Sequence, residues 1–260
     1  MPEITTETLN VRDVELFLRR AGDGETLLLL HGANGNMSWL PVMKALAETH
    51  HVILPDHPGF GATPAPDWMD NIFDMTYFYL DVVETLGIND FHLAGHSMGG
   101  WIAAEIGIRD ANRIKSLTIV SAAGIRVEGT PMGDLFAWSP QEAIKQVYAQ
   151  NSFREQMLAM EPDEDQIQVM LQNRQMAARL CWTPRLHNPD LAKWLHRLDL
   201  PTLILWGNSD GIFPEPYAHA WHDAVPGSEL EVYENCGHSP MVEARDAFLA
   251  RLTAFTQGAA

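Results

Sequence analysis

Short apolar runs rich in β-favouring residues punctuate the chain: TLLLLH (26–31), HVILP (51–55), DFHLAG (90–95), SLTIVS (116–121), TLILWG (202–207) and LEVYE (230–234). Runs such as LLLL and LTIV are apolar at consecutive positions, the pattern of parallel strands covered on both faces. Between these runs the apolar positions recur with helical period over roughly 38–49, 73–86, 98–109, 215–224 and 241–256. Alternation of this kind predicts an α/β fold with right-handed crossovers. Segments 3–9 and 14–19 add an antiparallel edge, giving a mostly parallel eight-stranded sheet with helices on both faces.

The alternation fails between 123 and 194, where the pattern reads as three helices. Ser139-Pro140-Gln141-Glu142 has the form of a capping box with proline at the first helical position. Ile167, Met170, Leu171, Ala178 and Cys181 recur at helical spacing. Asn188-Pro189 opens a third helix with Leu191, Trp194, Leu195 and Leu198 on one stripe. Helices inserted between core strands are expected to form a cap over a site. The expected division is therefore a core of residues 1–122 and 195–260 with a helical cap over 123–194. The tail TQGAA reads as disordered.

Composition narrows the partners. A formal net charge of −17 makes nucleic acid and anionic membrane surfaces poor partners, and says little about the substrate. Cys181 and Cys236 cannot make a disulfide framework, and no histidine pair has zinc-ligand spacing. No dinucleotide-type glycine motif is present, so no cofactor is expected. The N-terminus has no signal-peptide pattern and no run is long enough to span a membrane, which points to a cytoplasmic protein. Monomer and homodimer both suit this composition.

The candidate chemistry starts in LAGHSMGG (93–100), where Ser97 sits in G-x-S-x-G between an apolar run and a helix. A sharp strand-to-helix turn strains the central residue and crowds the positions two before and two after it, which favours glycine at 95 and 99. Ser97 is thereby held out at the carboxyl edge of the sheet as a nucleophile. A serine hydroxyl needs a base, and His238, in the loop after the last strand, is the strongest of eleven histidines. His31 and His96 are read as structural or as pocket walls, and His50, His51, His219 and His222 as surface residues. Asp210, just after TLILWG, is placed to orient the imidazole. The oxyanion hole is assigned to the backbone N–H of Met98 and to the loop after LLLLHG, with Ala33 first and Asn34 second.

With HGANGN, DHPGFGAT (56–63), WGNSDGIFP (206–214) and CGHSPMVE (236–243) in order around G-x-S-x-G, the chain resembles the α/β-hydrolase superfamily, serine branch. That resemblance implies catalytic Ser97, Asp210 and His238, and a variable cap that shapes the acyl pocket. The cap residues Trp138, Phe136, Met132 and Trp182 are expected to bind substrate, while Arg154, Arg174 and Arg185 are read as solvated helix residues, with binding of an acidic substrate group from the cap as the alternative. The expected activity is that of a carboxylesterase acting on small to medium acyl esters. The chain also resembles meta-cleavage-product hydrolases, which cut carbon–carbon bonds. It departs from them at His96, where asparagine is typical, and at Ser239, where tryptophan is common. Lactonase, perhydrolase and small-ligand receptor are further alternatives on the same fold.

Overall fold

The computed structural model describes residues 2–36 and 39–259. Its sheet contains β1 (Thr5–Val11), β2 (Val14–Ala21), β3 (Glu25–Leu30), β4 (His50–Pro55), β5 (Phe91–His96), β6 (Ile114–Val120), β7 (Thr202–Gly207) and β8 (Glu229–Tyr233). They lie in the order β1-β2-β4-β3-β5-β6-β7-β8, antiparallel across β1, β2 and β4 and parallel from there on. Every expected strand is present within a few residues. The chain reverses its direction of winding at β3, whose neighbours are β4 on one side and β5 on the other. Connections leaving β3 and β5 diverge there, which opens a crevice at the carboxyl ends of the two strands.

Two hydrophobic cores fill the faces. On one, α2 (Ile72–Leu86), α3 (Met98–Arg109) and α7 (Pro216–Ala224) bury Phe78, Ile102 and Trp221 against Leu28, Leu30 and Ile119. On the other, α1 (Pro41–Leu46) and α9 (Arg245–Gly258) bury Val42, Leu46, Phe248 and Leu252 against Leu27, Ala94 and Leu205. The strands show why both patterns coexist. Leu27 and Leu29 point to the second core and Leu28 and Leu30 to the first, so a run apolar throughout is what a sheet covered twice requires.

Between β6 and β7 the chain forms α4 (Pro140–Val147), α5 (Asn151–Leu158), α6 (Glu164–Cys181) and a 3-10 helix (Ala192–Arg197), and no named strand among the described residues. Three expectations need correction here. Ser139 does cap α4 through the Glu142 N–H, but Glu142 accepts from Gln146 instead of completing the reciprocal bond. The capping box falls instead at α6, between Asp163 and Gln166. In α6 the buried stripe is Asn173, Met176, Ala177, Leu180 and Cys181, whereas Ile167, Met170 and Leu171 are exposed. The N-terminal half of the helix projects past the core, so apolar spacing there marks no packed face. The segment after Asn188-Pro189 makes only a 3-10 helix, whose three-residue turn leaves Trp194 outside the stripe of Leu191, Leu195 and Leu198.

Two smaller readings change as well. Residues of the tail continue α9 to Gly258, because Phe255 and Thr256 are buried. His50 is buried and hydrogen-bonds Thr256 across the α1/α9 face, so it is a core residue. Ser38, inside the first expected helix, and Ala260 lie outside the described residues.

Candidate active site

Ser97 stands at the turn from β5 into α3 with φ 56° and ψ −117°, a backbone conformation that costs a non-glycine residue about 1–3 kcal/mol. The surrounding glycines are there because space is absent. A Cβ on Gly95 would lie 2.2 Å from the Gly99 carbonyl oxygen, and one on Gly99 would lie 2.2 Å from that of Leu30. The turn is pinned by Ser97 N–H donating to the Val120 carbonyl at 2.9 Å and by the Ser97 carbonyl accepting from Ala123 at 3.1 Å. Its side chain faces a cavity of about 230 Å³ together with His238.

His238 and Asp210 come from loops after β8 and β7 and meet at the same edge. His238 Nδ1 donates to Asp210 Oδ2 at 2.8 Å, with both side chains buried. The other oxygen, Asp210 Oδ1, accepts from the N–H groups of Ile212 and Phe213 at 2.8 and 3.0 Å. A carboxylate so held fixes the imidazole with Nε2 as the free acceptor. Among the described residues no hydrogen bond joins Nε2 to Ser97 Oγ. Such bonds are often loose without substrate and tighten when it binds.

The His238 loop is tied down by a buried carboxylate at the end of the short helix α8 (Pro240–Glu243). Glu243 accepts from Ala149 and Gln150 N–H at 2.9 and 2.8 Å and from Gly237 N–H at 2.7 Å. The His238 N–H itself donates to the Val147 carbonyl at 2.7 Å. The end of α4 and the histidine loop are thus one hydrogen-bonded unit.

His96 fills the space beside His238. Its Nε2–H donates to the His238 carbonyl at 2.7 Å, and the two rings lie 4.8 Å apart. Burial, then the neighbouring His238 imidazole, push His96 down to about 3, so the ring is neutral and is a wall of the cavity.

The loop after β3 lies opposite Ser97. A Cβ on Gly32 would approach the Ser97 Cβ to 3.1 Å. Among the described residues the N–H groups of Ala33, Asn34 and Met98 have no hydrogen-bond partner, and Ala33 and Asn34 line the cavity. Beneath this loop runs a chain of neutral histidines. The His57 N–H donates to His31 Nε2 at 2.9 Å, which leaves His31 Nδ1 as donor to the Gly32 carbonyl at 2.7 Å. His57 Nε2 donates to the His31 carbonyl at 2.9 Å, so its Nδ1 accepts from the Tyr79 hydroxyl. Burial pushes His57 down to about 4 and His31 well below the usual histidine range.

A residue that no spacing argument singled out holds the loop from the other side. Asn173 of α6 is buried; its Nδ2 donates to the Asn34 carbonyl at 2.7 Å and its Oδ1 accepts from Gly61 N–H at 3.0 Å. Both ends of one amide are spent on two loops of the core. The available signal was a lone asparagine on the stripe shared with Met176, Ala177 and Leu180.

Four expected substrate-binding residues do not reach the cavity. Trp138, Phe136, Met132 and Trp182 are not among its lining residues; of that stretch only Leu135 is. Trp182 is 54% exposed, with its ring 5.7 Å from that of Phe136 and the Arg185 guanidinium 3.9 Å above it. Trp138 packs over Gly133, and Met132 packs against the first core. These side chains hold the inserted segment to itself and to the core. The arginines do the same. Arg154 donates to the Tyr148 carbonyl, Arg174 to those of Phe136 and Trp138, and Arg185 to Asp134.

Comparison with known proteins agrees with this architecture. The family model for the alpha/beta hydrolase fold matches residues 25–244. The chain belongs to that family. This alpha/beta hydrolase is 27% identical over 243 residues to Lipase 1 of Psychrobacter immobilis, covering 89% of this chain and 77% of that protein. It is 28% identical over 282 residues to the 2-hydroxy-6-oxononadienedioate/2-hydroxy-6-oxononatrienedioate hydrolase of Klebsiella pneumoniae, covering 94% and 93% of the two chains. Among solved structures it matches a membrane phospholipase A described as a bacterial virulence factor, with TM-score 0.83, 25% identity, and 98% and 86% of the chains covered. The 2-hydroxy-6-oxo-6-phenylhexa-2,4-dienoate hydrolase of Rhodococcus sp. strain RHA1 shares the fold at TM-score 0.80 and 22% identity, with 99% and 100% covered.

Proposed function

We propose that this alpha/beta hydrolase is a serine carboxylesterase with Ser97 as nucleophile, His238 as general base and Asp210 as the group that orients it. The observation that carries this reading is the buried His238–Asp210 pair at 2.8 Å, opening onto the same cavity as a strained Ser97. His238 Nε2 takes the Ser97 proton as the hydroxyl attacks the ester carbonyl, and Asp210 stabilises the imidazolium. The N–H groups of Met98 and Ala33, with Asn34 beside it, receive the oxyanion. The alcohol leaves with the proton from His238, and water attacks the acyl-enzyme by the reverse route. Residues 123–194 act as the cap that closes the site.

The site residues and the 28% identity over nearly both chains also suit hydrolysis of a carbon–carbon bond in a dienedioate. Against that reading, no Asp, Glu, Lys or Arg lines the cavity among the described residues, and Arg154, Arg174 and Arg185 of the insertion are engaged elsewhere. A doubly anionic substrate would lack a cation to pair with. The deciding experiment is hydrolysis of p-nitrophenyl butyrate beside a coloured ring-fission dienoate. Ester turnover that is lost by at least a thousandfold in Ser97→Ala supports the esterase reading. Dienoate turnover far above ester turnover contradicts it.

A further inference from the structure

The cavity does not end at Ser97. Leu29 lies in β3, with β4 and β5 bonded on either side and α1 and α9 over its face, yet it keeps accessible surface where Leu27 on the same face has none. His96, one strand over at the end of β5, is also half-buried. Met43 of α1 is likewise only partly covered, and Met43, Leu46, Leu54, Phe248 and Leu252 line the same cavity as Ser97. An internal apolar arm therefore runs from the serine down the α1/α9 face of the sheet, the face opposite α2 and α3. Its polar groups cluster at the mouth, at His96, Ser97, His238 and the loop after β3.

The two substituents of an ester must occupy different parts of this space. His238 hands its proton to the departing alcohol, so the alcohol belongs beside His238, where Leu135, Val147 and Ile212 form the rim. The apolar arm is left for the acyl chain. At about 230 Å³ the whole cavity lies below the roughly 300–1,000 Å³ of pockets for drug-sized ligands, so the arm, one part of it, holds only a short chain. We propose that this arm is an acyl-chain subsite on the α1/α9 face, taking a short, unbranched aliphatic acyl group. This inference rests on Ser97 being the nucleophile and adds where, and how much of, the substrate is held.

The test compares p-nitrophenyl acetate, butyrate, hexanoate and decanoate on the wild type, Leu29→Phe, Met43→Trp and Trp182→Ala. For the wild type, kcat/KM is expected to peak at butyrate or hexanoate, about tenfold or more above acetate, and to fall at decanoate. Leu29→Phe and Met43→Trp each narrow the arm and are expected to lower the hexanoate-to-acetate ratio at least tenfold. Trp182→Ala, on the exposed insertion, leaves that ratio in place. A ratio that both narrowing variants preserve, or that Trp182→Ala moves instead, overturns the assignment while leaving the nucleophile intact. Should either narrowing variant fail to fold, the wild-type profile decides alone: a profile flat to decanoate overturns the subsite. Acetate turnover that survives in Ser97→Ala is a different failure, since it removes the nucleophile and this subsite with it.

Discussion

At the scale of single residues, the elbow, the histidine loop and the acid turn are each encoded by a few neighbouring letters. Gly95 and Gly99 are needed because carbonyl oxygens occupy the space of their Cβ atoms, so G-x-S-x-G carries its own geometric reason. Asp210 and His238 follow directly from strands that end at the same edge, which made them legible from chain order. Glu243 was visible in CGHSPMVE but its role was not, because its donors Ala149 and Gln150 lie 94 and 93 residues away. Its charge-assisted bonds to three N–H groups make a specific expectation. Glu243→Gln turns an amide NH2 against one of those donors and should cost about 1.5–3 kcal/mol, read as a lower urea midpoint, together with a fall in kcat from the loosened His238 loop. Unchanged stability and unchanged kcat would show that the strap does not position the histidine.

At the scale of elements, the periodicities of strands and core helices were reliable because both of their packing partners are in the regular sheet layers. The inserted segment was less legible. Which face of α6 is buried depends on where the helix leaves the core, and spacing alone promoted Ile167, Met170 and Leu171 over Asn173 and Met176. The same gap assigned Trp138, Phe136, Met132 and Trp182 to a pocket whose lining they do not join, since they pack against the insertion and the first core. Asn173 is where α6 meets the candidate site, since its amide spans the loop bearing Ala33 and Asn34 and the Gly61 turn. Asn173→Ala leaves the Asn34 carbonyl and the Gly61 N–H to seek other partners, at a cost of about 1–3 kcal/mol. Because the proposed mechanism places the oxyanion on this loop, kcat is expected to fall at least tenfold with little change in KM. A rise in KM at constant kcat would show that α6 shapes binding and not the loop.

At the scale of the whole molecule, an acidic chain has been built around several histidines that stay neutral. The folded state resists protonation of His96 until about pH 3, whereas the unfolded chain takes up that proton near 6.5. Below 6.5 the unfolded state binds more protons, so stability is complete above that pH and declines as pH falls towards 3. Each such group contributes up to about 1.4 kcal/mol per pH unit to that decline, and His57, held down to about 4, adds to it. Unfolding free energies from urea titrations at pH 7, 6, 5 and 4 are expected to fall less steeply in His96→Asn than in the wild type, by about one proton's worth. Parallel curves would show that the folded chain does not hold the His96 ring neutral.

The central claim is that residue 97 carries the reactive oxygen and that residue 238 activates it. Peptide mapping by mass spectrometry after reaction with a fluorophosphonate tests it most directly, in the wild type and in His238→Ala. The account predicts one adduct, on the peptide containing Ser97, formed at least about a hundredfold more slowly when the imidazole is gone. An adduct on another residue such as Ser239, no adduct, or undiminished labelling in His238→Ala would contradict it.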